Sequence, residues 1–91
     1  VDYDRLKSLL ESQEKFPYDF ILKFIGVNSP AFLDGVRNLG AMYPQLRKVG
    51  ERKSAKGSNL ALTFMFRARN ADEIITLLKS VSTIPDVKVV L

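Results

Sequence analysis

GERKSAKGSNLALTFMFRAR, residues 50–69, holds the clearest strand of the chain and the turn that feeds it. Leu60, Leu62, Phe64 and Phe66 alternate with Ala61, Thr63, Met65 and Arg67. That is the period-2 pattern of a strand with one buried face. Both rings fall on the even parity, so the even side is assigned to the core. Ahead of the strand, Ser54–Asn59 turns the chain, with Gly57 placed where φ must be positive. Before the turn, Leu46 and Val49 have opposite parity, which predicts a bulge near Gly50.

The same alternation recurs upstream. In DFILKFIGV, residues 19–27, Phe20, Leu22 and Phe24 point inward, leaving Ile21, Lys23 and Ile25 outward. Between these strands, Ser29 and Pro30 suit the N-cap and first position of a helix. Its buried arc is expected to hold Phe32, Leu33, Val36, Leu39, Gly40 and Tyr43, with Gly40 allowing a close approach to the sheet. After the hairpin, Asn70 caps a second helix and Glu73 stands where a capping-box acid reaches back. Ala71, Ile74, Ile75, Leu77, Leu78 and Val81 form its apolar arc. VKVVL, residues 87–91, reads as a last strand with Val87, Val89 and Leu91 inward and Lys88 and Val90 outward. Residues 2–13 make a leading amphipathic helix, with Tyr3, Leu6, Leu9 and Leu10 on one face, ended by Phe16-Pro17.

Strand, helix, strand, strand, helix, strand, joined by right-handed crossovers, specifies an α+β fold: a ferredoxin-like βαββαβ sandwich. A four-stranded antiparallel sheet carries two helices on one face, with the second and last strands at its edges. The expected organisation is an N-terminal amphipathic helix over residues 1–15 followed by a ferredoxin-like domain over 16–91. Leu62→Asp is expected to prevent folding.

Composition removes several classes of function. With no Cys and no His among 91 residues, thiol catalysis, disulfides and the usual transition-metal sites are excluded. Neither metal nor cofactor is expected, and no enzyme activity. No apolar run is long enough to span a membrane, and the N-terminus lacks a signal-peptide pattern, so a cytoplasmic location is expected. Charge is uneven. From Arg37 to Arg69 there are eight bases and one acid, while the remainder holds six bases and nine acids. Arg47, Lys48, Arg52, Lys53 and Lys56 form a candidate polyanion patch. A solvated edge that discourages strand pairing explains the same charges. Base stacking is disfavoured: Lys56-Gly57 imitates the start of an RNA-recognition signature, but Ser58 and Leu60 stand where its rings belong. Nonspecific phosphate contact remains as an alternative.

The outward face is the main functional candidate. Ile21, Lys23, Ile25, Ala61, Thr63, Met65, Lys88 and Val90 are expected to line it. An apolar patch of this kind calls for a cover: the leading helix, a second copy of the chain, or another protein. This supports a small regulatory or protein-interaction module.

Family resemblance adds to this reading. Phe16-Pro17-Tyr18-Asp19-Phe20, Lys23-Phe24-Ile25-Gly26, Ser54-Ala55-Lys56-Gly57 and the closing Val87–Leu91 together resemble the YbeD-like family of small bacterial proteins of unknown function. The likeness covers roughly residues 16–91. It implies a ferredoxin-like fold similar to ACT regulatory domains, a cytoplasmic location and no established enzyme activity; association alone links that family to lipoate metabolism. Asn59 and Ala61 depart from the family pattern, which places an aromatic and then a small hydroxyl residue after the Lys-Gly turn. Gly26–Leu33 is similar to the ACT turn before a leucine-rich helix, with Asn28 in place of its acid and Ala31 in place of its glycine. Gly26, Asn28 and Ser29 are therefore a candidate loop for a small ligand, an amino acid or a lipoate-related compound. A plain helix cap accounts for the same residues.

Overall fold

The computed structural model describes residues 2–91; Val1 lies outside the described residues. In chain order the elements are α1 (Tyr3–Gln13), β1 (Tyr18–Val27), α2 (Pro30–Met42), β2 (Leu46–Lys53), β3 (Asn59–Ala68), α3 (Ala71–Ser82) and β4 (Val87–Val90). They build a four-stranded sheet in the order β2-β3-β1-β4, with every pairing antiparallel. The expected ferredoxin-like architecture is the observed one.

Parity in the two central strands fixes the layers. Leu22 and Phe24 of β1 and Leu60, Leu62, Phe64 and Phe66 of β3 are buried beneath the helices. Phe24 stacks on Phe64 with ring centroids 5.7 Å apart, and Phe32 of α2 meets Phe24 edge-on at 6.0 Å. Tyr43, at the end of α2, packs edge-on against Phe66, and its hydroxyl lies 2.8 Å from Ser80 Oγ. The core is apolar throughout, with no buried polar side chain among the described residues. Sequence capping holds at each helix start. Ser29 Oγ accepts from the Phe32 N–H, and Asn70 Oδ1 accepts from the Glu73 N–H. Glu73 reaches back one residue further than a capping box requires, to the N–H of Arg69.

α1 joins the helical layer. Leu10 is buried in the core, Tyr3 and Leu6 pack against it, and Leu9 is left exposed. Lys7 pairs with Asp72 of α3 at 2.9 Å, and Lys79 Nζ sits 5.1 Å from the Tyr3 ring centroid. The leading helix therefore lies beside α3 and leaves the other side of the sheet open.

Some expectations are corrected. Leu33 and Gly40, expected in the buried arc of α2, are exposed, and a Cβ at Gly40 would meet nothing within 4 Å. The close approaches belong to Gly26, where a Cβ would collide with the Phe32 ring, and to Gly35, where it would lie 2.7 Å from Ile84 Cγ2. The second correction is the phase of β4. Val90 pairs with Phe24 and Val89 with Ile25, then the register slips so that Val87 pairs with Gly26. Lys88 occupies the slip. Val87 and Val90 thus both face the helices, while Val89 is exposed on the open side and Leu91 is exposed beyond the strand.

Candidate functional site

The open face is built from the odd positions of β1 and β3. Across the ladder, Asp19 stands opposite Arg67, Ile21 opposite Met65, Lys23 opposite Thr63 and Ile25 opposite Ala61. β2 adds Arg47 beside Met65, Gly50 beside Thr63 and Arg52 beside Ala61. β4 adds Val89 beside Ile25. Ile21 is 51% exposed and Val89 40%, large values for aliphatic side chains in a sheet. Six of the eight residues expected on this face are there. Val90 is not, because the slip in β4 turns it toward α1 and α3, and Lys88 is exposed within the slip itself. Val89 takes the place expected for Val90.

Cations border this aliphatic stripe. Lys23, Arg47, Arg52 and Arg67 lie on the face with Asp19 as the single acid of those pairs. Arg67 bridges to Asp19 at 3.1 Å, and Arg47 directs its guanidinium to Met65 Sδ at 3.4 Å. Two shallow hollows sit at opposite ends of the stripe. One, of about 470 Å³, is lined by Asp19, Pro44, Gln45, Arg47, Met65 and Arg67. The other, of about 280 Å³, is lined by Ile25, Arg52, Lys53, Ser54, Asn59 and Ala61. Every aromatic side chain of β1 and β3 takes the even, helix-covered parity, so none stands on the open face.

The basic run of β2 divides between the two sides. A register slip between Lys48 and Gly50, at the predicted bulge, puts Lys48 opposite Phe64, Glu51 opposite Leu62 and Lys53 opposite Leu60, on the helix-side parity. Lys48 is paired with Glu51 at 2.8 Å, and its hydrogen bond and charge hold Glu51 below the usual carboxylate range. Arg47 and Arg52 remain on the open face, Lys53 borders the second hollow, and Lys56 stands in the hairpin turn beside Gly57, whose φ is 73°. The five cations do not form one surface.

The candidate ligand loop is tied into the fold. Asn28 Nδ2 donates to the Gly57 carbonyl at 3.1 Å, and the Asn28 N–H donates to Ser58 O at 2.9 Å. Ser29 Oγ accepts the cap bond from Phe32 and donates to Asp86 Oδ2 at 2.6 Å. Gly26 is covered by the Phe32 ring. These hydrogen bonds clasp three loops together. Among the described residues no group of three or more His, Cys, Asp or Glu could hold a metal ion, and no helix is long and apolar enough to cross a membrane.

Comparison with known proteins agrees with the fold. The chain is 30% identical to a UPF0250 protein of Leptothrix cholodnii, over 99% of this chain and 98% of that one. Its fold is similar to the ACT domain from the GTP pyrophosphokinase of Chlorobium tepidum, with a TM-score of 0.62 at 16% identity, covering 81% of this chain and 97% of that domain. That likeness is one of fold. Residues 11–91 match the family described as "Protein of unknown function (DUF493)", so the similarity begins inside the last turn of α1 and runs through β4. Neither the family nor this relative carries an enzymatic name. The chain belongs to the DUF493 family, the YbeD-like group that its strand and turn residues resemble.

Proposed function

We propose that this protein is a non-catalytic, cytoplasmic binding module, and that its open sheet face receives an acidic protein partner. One observation carries the reading: an apolar stripe on the open face, exposed at Ile21 and Val89 and half-buried at Ile25 and Met65, is bordered by Lys23, Arg47, Arg52 and Arg67. Aliphatic surface supplies affinity by burial, and the cations choose the partner's sign. A second copy docked face to face would bring four cations and one acid against the same set, a net positive charge on both sides that like-charge repulsion opposes. Single-stranded nucleic acid would need rings on which to stack, and this face has none. The fold shared with the ACT domain of a GTP pyrophosphokinase is compatible with a regulatory part played on the partner.

The test is a photo-crosslinking amino acid at position 21, used in extract of the source cell. The expected product is a crosslink to a protein with an acidic surface, lost in Arg47→Glu/Arg52→Glu and weakened by salt. A crosslinked homodimer, or a crosslink indifferent to both charge reversal and salt, overturns the reading. Crosslinking to nucleic acid would replace it with the polyanion alternative.

A further inference from the structure

The larger of the two hollows on the open face is built at one corner of the sheet by three strands and a turn. Asp19 of β1 stands opposite Arg67 of β3, and Arg47 of β2 stands opposite Met65. Leu46 pairs with Phe66, so Gln45, one residue earlier, falls beside Arg67. The Leu46 N–H donates to the Tyr43 carbonyl at 2.9 Å, closing a turn with Pro44 and Gln45 at its two corners. Proline fixes φ at the first corner and so stiffens the turn. Pro44 and Gln45 line the hollow together with half-buried Met65. Its volume of about 470 Å³ falls in the range of roughly 300–1,000 Å³ that small-molecule sites occupy.

Charge at this corner is unbalanced. Arg47 and Arg67 are diagonal neighbours on adjacent strands, a placement that sets Cα atoms roughly 7–8 Å apart and lets long side chains meet. Like charges so placed repel. Asp19 offsets one of them, bridging to Arg67 through Oδ1 at 3.1 Å. Arg47 has no carboxylate partner among the described residues, and its guanidinium donates to Met65 Sδ, a weak acceptor, at 3.4 Å. The corner therefore holds one net positive charge and a planar fork of N–H donors whose geometry matches a carboxylate. Asp19 Oδ2 remains as an acceptor, and the Gln45 amide as a neutral donor.

We propose that this corner binds a small 2-hydroxy carboxylate. Arg47 grips the carboxylate in its fork, and Arg67, held by Asp19, and the Gln45 amide add donors beside it. The hydroxyl donates to Asp19 Oδ2. Net charge selects the class. A monoanion balances the single excess cation, whereas a zwitterionic amino acid leaves it unbalanced and a phosphate dianion meets the Asp19 carboxylate. An acidic side chain of a docked protein brings a carboxylate without the neighbouring hydroxyl and leaves Asp19 unused. The inference goes beyond the acidic-partner reading. Its test uses the chain alone, so failure of either leaves the other standing.

The test follows the isotope-labelled methionine methyl groups of the full chain by NMR. Met65 lines the hollow, and Met42, 65% exposed on α2 and outside it, serves as an internal control. Lactate, acetate, alanine, glycerol and inorganic phosphate are titrated at constant ionic strength. The expected result is a saturable shift of the Met65 methyl with lactate, half-complete in the millimolar range, with no matching shift at Met42. Acetate should bind at least about fivefold more weakly, the scale of one neutral hydrogen bond. Arg47→Ala should weaken lactate at least about tenfold, the scale of one hydrogen bond to a charged group. Asp19→Ala removes the acceptor for the hydroxyl and frees Arg67, so acetate should then bind as well as lactate. Both positions are exposed, and both variants should keep the fold. Three results overturn the proposal: no saturable Met65 shift with lactate at tens of millimolar, any of the other four compounds binding the unaltered chain as tightly as lactate, or lactate binding unchanged in Arg47→Ala.

Discussion

The two faces of this sheet are made by the same strands, one residue apart, and they obey different rules. Beneath the helices, Leu22, Phe24, Leu62 and Phe66 are at most 2% exposed and interlock with Phe32, Ile74 and Leu77. On the other side, Ile21 and Met65 lie near Arg47 and Arg67, Val89 stands beside Ile25, and no helix covers them. Selection for folding acts on the first set. The second set contributes little to folding, which leaves it available for recognition. α1 sharpens the contrast. Its apolar face could have covered the open side but adds to the helical layer, so the half that was already buried gained a third helix.

Adjacent residues of β1 test this division most strongly. Leu22→Ala should cost about 2–5 kcal/mol, the range for a fully buried leucine truncated in a packed core. Ile21→Ala should change stability by no more than about 0.5 kcal/mol, as for ordinary surface positions. Urea denaturation of the two variants measures both. A comparable loss in each would mean that the open face is covered in solution, either by a second copy or by a rearranged α1.

Glycines supply a smaller version of the comparison. Gly26→Ala places a methyl group against the Phe32 ring inside the covered half, and overpacking of this kind costs about 1–3 kcal/mol. Gly40→Ala places one on an exposed helical position with open space around it, where the gain in helix propensity is up to about 1 kcal/mol. Thermal unfolding should therefore move in opposite directions for the same chemical change. A loss at Gly40 would restore the close helix–sheet approach that its place in the apolar arc first implied.

These two glycines also show what the sequence can and cannot specify. In β1 and β3 the alternation runs long enough to fix its phase, and each side chain from 20 to 25 and from 60 to 67 lies on the expected face. VKVVL has valines at adjacent positions, so nothing in it fixes a phase, and the slip at Lys88 decided the outcome. Helix caps were legible because Ser29 and Asn70 act within three residues. The long-range bonds of Asn28 and Ser29, to Gly57 and Asp86, were not, since they depend on how three loops meet. The basic cluster of β2 was legible as composition. Its division between two faces follows from the bulge, which turns Lys48 and Lys53 to the helix side while Arg47 and Arg52 stay on the open one.

The smallest expected effect concerns a carboxylate that belongs to the helical half. Glu73 accepts from the Arg69 N–H at 2.7 Å and from its guanidinium at 2.7 and 2.9 Å. The Arg69 side-chain hydrogen bond, followed by the backbone one, holds Glu73 below the usual glutamate range. A carboxyl whose pKa is lower in the folded chain than in the unfolded one binds fewer protons when folded. Its contribution is therefore complete above the ordinary glutamate value of about 4.3, and it fades as the pH falls from there through the folded value. Glu73→Gln should reduce stability slightly at neutral pH, by less than the Gly40 effect because Arg69 is well exposed, and should flatten the acid limb in that window. Urea midpoints between neutral pH and pH ~3 measure it. An acid limb unchanged in Glu73→Gln would mean that the Arg69 bonds do not hold in solution, and that the start of α3 relies on Asn70 alone.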